Sequence, residues 1–81
     1  MFKVGDILRN GPEGDRDTQV VWIIGKTNRK PMNYWNVIVE HLEGNYVGSI
    51  SECYNIDMCK KIGYNPRYPL TKKTIKKLKL L

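Results

Sequence analysis

His41, Cys53 and Cys59 are the side chains whose types could ligate a soft metal ion or act as base and nucleophile. Their spacing argues against both. The two cysteines stand six residues apart and form no C-x-x-C pair, and a lone histidine offers no H-x-x-x-H partner. On a helix, six residues would turn the two thiols about 240° from each other, too far for an intrahelical disulfide. Structural cysteines, buried or half-buried, are the simpler reading. His41 falls at the end of a predicted strand. Glu40 and Glu43 flank it and would raise its pKa, but nothing nearby supplies a nucleophile. Glu13, Asp15 and Asp17 alternate in one loop and could meet a hard cation. The loop lacks the glycine and distal glutamate of an EF-hand, so a solvated loop is expected. No G-x-S-x-G, H-E-x-x-H or G-x-x-x-x-G-K-S/T run occurs. A non-enzymatic protein with no metal and no cofactor is the expectation.

Charge carries more information. Residues 1–59 hold six Lys/Arg and eight Asp/Glu, whereas residues 60–81 hold eight Lys/Arg and no acid. A body of net −2 therefore precedes a segment of net +8, together the +6 of the chain. Segregation of this kind points to a polyanion or an acidic protein surface as partner. The basic residues are Lys60, Lys61, Arg67, Lys72, Lys73, Lys76, Lys77 and Lys79. Seven of the eight are lysines, which suit diffuse phosphate contact better than bidentate base readout. The plainer alternative is a solvated face that aids solubility. Tyr64 and Tyr68 flank Arg67 just before the lysine cluster, the kind of ring-and-cation pairing that grips single strands. They could equally close an open end of the fold. Trp35 shares a strand face with Val37 and Val39 and is expected in the core. Trp22 shares one with Val20 and Ile24 and is the tryptophan available for a contact if that face is not covered.

The elements that must position these residues are mostly strands. Eighty-one residues with 41% hydrophobic content suffice for one small domain. Residues 2–9 read as a strand bent early at Gly5-Asp6, with Asp6 capping the bend, and residues 10–17 as a turn-rich loop. Gln19–Gly25 is β-branched or aromatic on both faces and reads as a covered strand. Tyr34–Leu42 alternates as a second long strand, Glu43-Gly44-Asn45 signals a hairpin, and Tyr46–Ser51 is the return strand with Gly48 at a bulge. Glu52–Ile62 reads as a short helix stopped by Gly63. Tyr64–Pro69 is extended around two prolines, with Tyr68-Pro69 a candidate cis bond. Residues 70–81 form a basic helix capped by Thr71, with Ile75, Leu78 and Leu81 in one stripe, or a short closing strand. The expected architecture is mainly β: a small antiparallel barrel with a short helix over residues 1–69, and a basic C-terminal segment over 70–81.

The opening Phe2-Lys3-Val4-Gly5-Asp6-Ile7 resembles the start of many SH3-like small barrels, in which Gly-Asp makes the first bend. The likeness covers residues 2–52 and departs after Ser51. It implies a small closed barrel that binds peptides, nucleic acid or small groups, without choosing among them. A short chain rich in Lys, Asn and Tyr is also similar to small phage-encoded accessory proteins.

Two functions fit. One is a nucleic-acid-binding module using the basic C-terminal segment. The other is a protein-interaction module, a phage-type inhibitor or adaptor that meets an acidic protein surface, with a homodimer also open. No apolar run approaches the ~18 residues of a membrane span. The first six residues have no signal-peptide h-region, so a cytoplasmic protein with reduced thiols and no membrane partner is expected.

Overall fold

A computed structural model of the chain describes residues 2–66. Five strands form one antiparallel sheet: β1 (Asp6–Asn10), β2 (Gln19–Lys26), β3 (Val37–Glu43), β4 (Ile50–Glu52) and β5 (Lys60–Tyr64). Their order across the sheet is β4-β3-β2-β1-β5. Among the described residues the helical content is one 3-10 turn, Ile56–Met58.

The early bend forms as its residues demand. Gly5 has φ of 102°, open to glycine alone at low cost. The Asp6 carboxylate accepts a hydrogen bond from the Lys3 backbone N–H at 3.0 Å, closing the turn. Next, β1 pairs with β2 (Ile7 opposite Trp22), and β2 with β3 (Ile23 opposite Val39). Gly44, with φ of 107°, turns the chain out of β3.

One face of the sheet carries the core. Leu8, Val21, Ile23, Val37 and Val39 are fully buried, and Ile56 of the 3-10 turn packs against them at 2% exposure. The other face is covered too: Val20, Trp22 and Ile38 are each at most 8% exposed. The double-sided apolar pattern of Gln19–Gly25 has its cause here.

Several expectations are corrected. The sheet is not closed into a barrel: β4 and β5 are its two edges. The predicted helix over Glu52–Ile62 does not form; its first residue ends β4, its middle holds the single 3-10 turn, and its last residues enter β5. There Leu8 stands opposite Lys61 and Ile7 opposite Gly63, so Ile62 bulges out of register. Pairing with β1, more than fifty residues away in sequence, overrides a marginal local helix. The second long strand starts at Val37 rather than Tyr34, and the return strand at Ile50 rather than Tyr46. Gly48, with φ of 86°, lies in the turn before that strand and not at a bulge within it.

Candidate nucleic-acid interface

The expected contact residues Arg67, Tyr68, Lys72, Lys73, Lys76, Lys77 and Lys79 lie outside the described residues. So do the predicted element over 70–81, the Tyr68-Pro69 bond and the domain boundary at residue 69. Lys60, Lys61, Tyr64 and Trp22 fall within them.

Lys60 and Lys61 both sit on β5, an edge strand, where lysines also deter pairing with another chain. Lys61 already has a partner: its Nζ lies 3.0 Å from Asp6 Oδ1, and Asp6 is 1% exposed. The Tyr64 ring is half exposed and carries two cations, Lys3 Nζ at 4.6 Å and Lys61 Nζ at 5.5 Å from its centroid. The ring therefore lies among positive charges, as a stacking residue would need. Beyond it, the Asn65 N–H donates to the Gly5 carbonyl at 2.8 Å, tying the chain to the bend before Arg67.

The two tryptophans exchange their expected places. Trp22 is 5% exposed, and its Nε1–H donates to the Asn65 carbonyl at 3.0 Å. Trp35 is 74% exposed and meets Tyr34 edge-to-face at 4.8 Å. The physical reason lies in the neighbouring asparagines. Asn33 Oδ1 accepts from the Trp35 N–H at 2.9 Å, an Asx turn, and both Asn36 N–H and Val37 N–H donate to the Asn33 carbonyl. Those bonds keep residues 33–36 out of the ladder, so strand alternation does not reach Trp35.

The β2–β3 loop is ordered by its own polar groups. Asn36 is 2% exposed; its amide donates to Asn28 Oδ1 at 2.9 Å and to the Pro31 carbonyl at 3.1 Å, and its Oδ1 accepts from the Asn33 N–H at 2.8 Å. Asn28 makes a second Asx turn to the Lys30 N–H. Lys26 Nζ reaches the Lys30 carbonyl, and the Cys53 thiol donates to the Trp35 carbonyl at 3.3 Å. Between Gly25 and Val39 the chain carries Lys26, Arg29 and Lys30 and no acid.

Register places this loop relative to β5. Lys26 pairs with Val37 at one end of the sheet. Gly5 N–H donates to the Ile23 carbonyl, and Asp6 stands opposite Tyr64, so β5 finishes at that same end. The opposite end carries Glu13, Asp15 and Asp17 in the β1–β2 loop and Glu43 at the end of β3. Arg9, Arg16 and Lys60 share that acidic end, and exposed Glu52, opposite Ile38 on β4, stands at the basic end, so the charge polarity along the strands is partial. Sequence reasoning did not single out Lys3, Lys26, Arg29 and Lys30, which the register gathers at one end of the sheet, and it placed Trp35 in the core. The available signal was Asn28, Asn33 and Asn36, each able to bond its own neighbourhood and break the strand pattern.

The residues of possible chemistry are dispersed or occupied. His41 is 3% exposed on the core face, with Nε2 2.9 Å from Ser51 Oγ and edge contacts to the Tyr46 and Tyr54 rings. Burial pushes its pKa below the usual value, reversing the rise expected from Glu40 and Glu43. Cys53 and Cys59 are free thiols; burial, and secondarily the Asp57 charge, push Cys59 up to about 11. Within the acidic loop, Asp15 Oδ1 accepts from the Asp17 N–H, and Glu13 lies 3.6 Å from Arg9. Among the described residues no group of three or more His, Cys, Asp or Glu could hold a metal ion, and no helix is long and apolar enough to cross a membrane. An open hollow of about 280 Å³ beside His41 and Ser51 is lined also by Tyr46, Cys53 and Tyr54.

Searches against protein-family models, curated proteins and solved structures each found no match.

Proposed function

We propose that this protein is a non-enzymatic nucleic-acid-binding module, in which the basic segment supplies phosphate contacts and the basic end of the sheet adds to them. One observation carries the reading: residues 60–81 hold eight cations and no acid, after a body of net −2. Its support in the fold is the register, since β5 finishes beside the loop of Lys26, Arg29 and Lys30, with Lys3 close to Tyr64. Glu13, Asp15, Asp17 and Glu43 lie at the far end of the strands against exposed Glu52 at the near end, so the field would bias an approaching polyanion toward the basic end. An SH3-like relationship is our finer reading of the fold, in an open form: the antiparallel five-stranded sheet is barrel-like, with β4 and β5 left as edges. Two free thiols agree with a reducing, cytoplasmic setting.

The test is fluorescence anisotropy with labelled DNA and RNA at two salt concentrations. It compares the intact chain with a variant in which Lys72, Lys73, Lys76, Lys77 and Lys79 are changed to serine. Affinity should fall steeply with salt, and the variant should show both weaker binding and a smaller salt slope. Equal, negligible binding by both proteins would sink the reading.

A second reading, a protein-interaction module of the phage-accessory kind, draws on exposed apolar residues. Met58 is 70% and Ile62 is 47% exposed, flanking the start of the β5 edge. Such an edge could accept a partner strand, with Lys60 and Lys61 meeting acidic side chains.

A further inference from the structure

We propose that the β2–β3 loop is a base-stacking platform, with Trp35 as its principal ring, and that the ligand is a single-stranded rather than a duplex nucleic acid. The inference rests on the nucleic-acid reading above and names its ligand class.

Exposure and rigidity coincide in this loop. A tryptophan 74% open to water is unusual for so apolar a ring, and nothing in the local pattern forces it out except the Asn33–Asn36 turn. Buried Asn36 fastens that turn to Asn28 and Pro31, and the Cys53 thiol holds the Trp35 carbonyl. The ring is therefore presented on a pre-ordered backbone, which lowers the ordering cost of binding. Tyr34 stands edge-on to it at 4.8 Å, leaving the indole with a neighbour that braces it and does not cover it as a stacked ring would.

Charge selects the partner class. Lys26, Arg29 and Lys30 share the loop with no carboxylate from Gly25 to Val39, and their three charges outnumber that of exposed Glu52, which stands opposite Ile38 on β4, so phosphates can approach while bases reach the indole. A duplex hides its base faces within the stack and would meet only the cations. A single strand offers both features at once. An acidic peptide would use the cations but gains nothing specific from a flat aromatic face. Tyr64, with Lys3 and Lys61 about its ring, repeats the arrangement at the same end of the sheet.

The test titrates the intact chain, Trp35→Phe and Trp35→Ala with oligothymidylate and with a hairpin duplex of matching phosphate number. Intrinsic tryptophan emission is read alongside anisotropy. Oligothymidylate should quench the intact chain strongly. Trp35→Phe, in which buried Trp22 alone emits, should lose the quench and keep most of the affinity. Trp35→Ala should weaken single-strand binding by about tenfold, the scale of one lost stacking contact, while duplex binding and its salt slope stay unchanged. Binding without quenching, or an equal loss for both ligands in Trp35→Ala, would overturn the platform and leave the phosphate-binding reading standing. No anisotropy change with either nucleic acid would overturn both and turn attention to a protein partner. Because Trp35 is exposed, far-ultraviolet circular dichroism should be the same for all three proteins, so a loss of binding cannot be assigned to misfolding.

Discussion

Lys61 Nζ lies 3.0 Å from Asp6 Oδ1, and this pair joins the edge strand β5 to the bend that starts β1. Asp6 is 1% exposed, whereas the Lys61 side chain is 46% exposed. The carboxylate has given up its water, and the ammonium together with the Lys3 N–H must replace it. A cation that charge counting assigns to a ligand therefore has a structural task as well.

Removing Lys61 should destabilise the fold more than removing its neighbour Lys60. Lys61→Met leaves a buried carboxylate with one hydrogen bond and should cost about 2 kcal/mol, less than a fully buried pair because the lysine is half in water. Lys60→Met, at an exposed site, should cost under about 0.5 kcal/mol. Urea midpoints of the two variants check the contrast.

Gly5 should tolerate no side chain. Its φ of 102° is strained for any L residue, and a Cβ there would stand 2.7 Å from Tyr64 Cε1 and 3.2 Å from the Asn65 carbonyl oxygen. Gly5→Ala should lose about 2 kcal/mol or more by urea denaturation. It should also raise hydrogen exchange at the Asn65 amide, whose acceptor is the Gly5 carbonyl.

The two tryptophans should answer truncation in opposite ways. Trp22→Ala, at a buried site with a hydrogen-bonded indole, should cost about 3–5 kcal/mol. Trp35→Ala should change stability by less than about 1 kcal/mol, because most of that ring is already in water. Thermal melts of both variants decide whether the assignment of inside and outside is right.

Acidification should weaken the protein through His41. Burial lowers its folded pKa below 6.5, so in the interval between the two values the unfolded chain binds a proton that the folded chain refuses. Stability is complete above about pH 6.5 and declines as pH falls toward the folded value. Melting temperature should drop between neutral pH and pH about 5.5. His41→Gln, which cannot titrate, should flatten that slope.

The thiols should differ in reactivity. Cys59, pushed up to about 11 by burial and Asp57, keeps only about one part in a thousand as thiolate at pH 8. Cys53 is exposed. In the native protein a disulfide reagent should modify one cysteine quickly, identified by mass spectrometry as Cys53, with Cys59 reacting after denaturant is added.

The sequence by itself determined whatever depends on residue type or on neighbours within a few positions. The charge polarity is a count along the chain. The bend at Gly5-Asp6 needs a residue free at positive φ and a nearby carboxylate, and both stand side by side. The strand at Gln19–Lys26 is apolar on both faces, which only a doubly covered strand accommodates. Tertiary structure alone decided which ring faces water, how His41 titrates and that a strand rather than a helix succeeds the 3-10 turn. Trp35 alternates correctly with Val37 and Val39 on paper, but hydrogen bonds at Asn33 and Asn36 hold residues 34–36 in a turn, so the strand and its alternation begin only at Val37. His41 has two acidic neighbours in sequence, yet the core face removes the water that would favour its charge. Lys60–Tyr64 became a strand because β1 presents an unpaired edge more than fifty residues upstream, and no local pattern reports an edge that exists only after the rest of the sheet has formed.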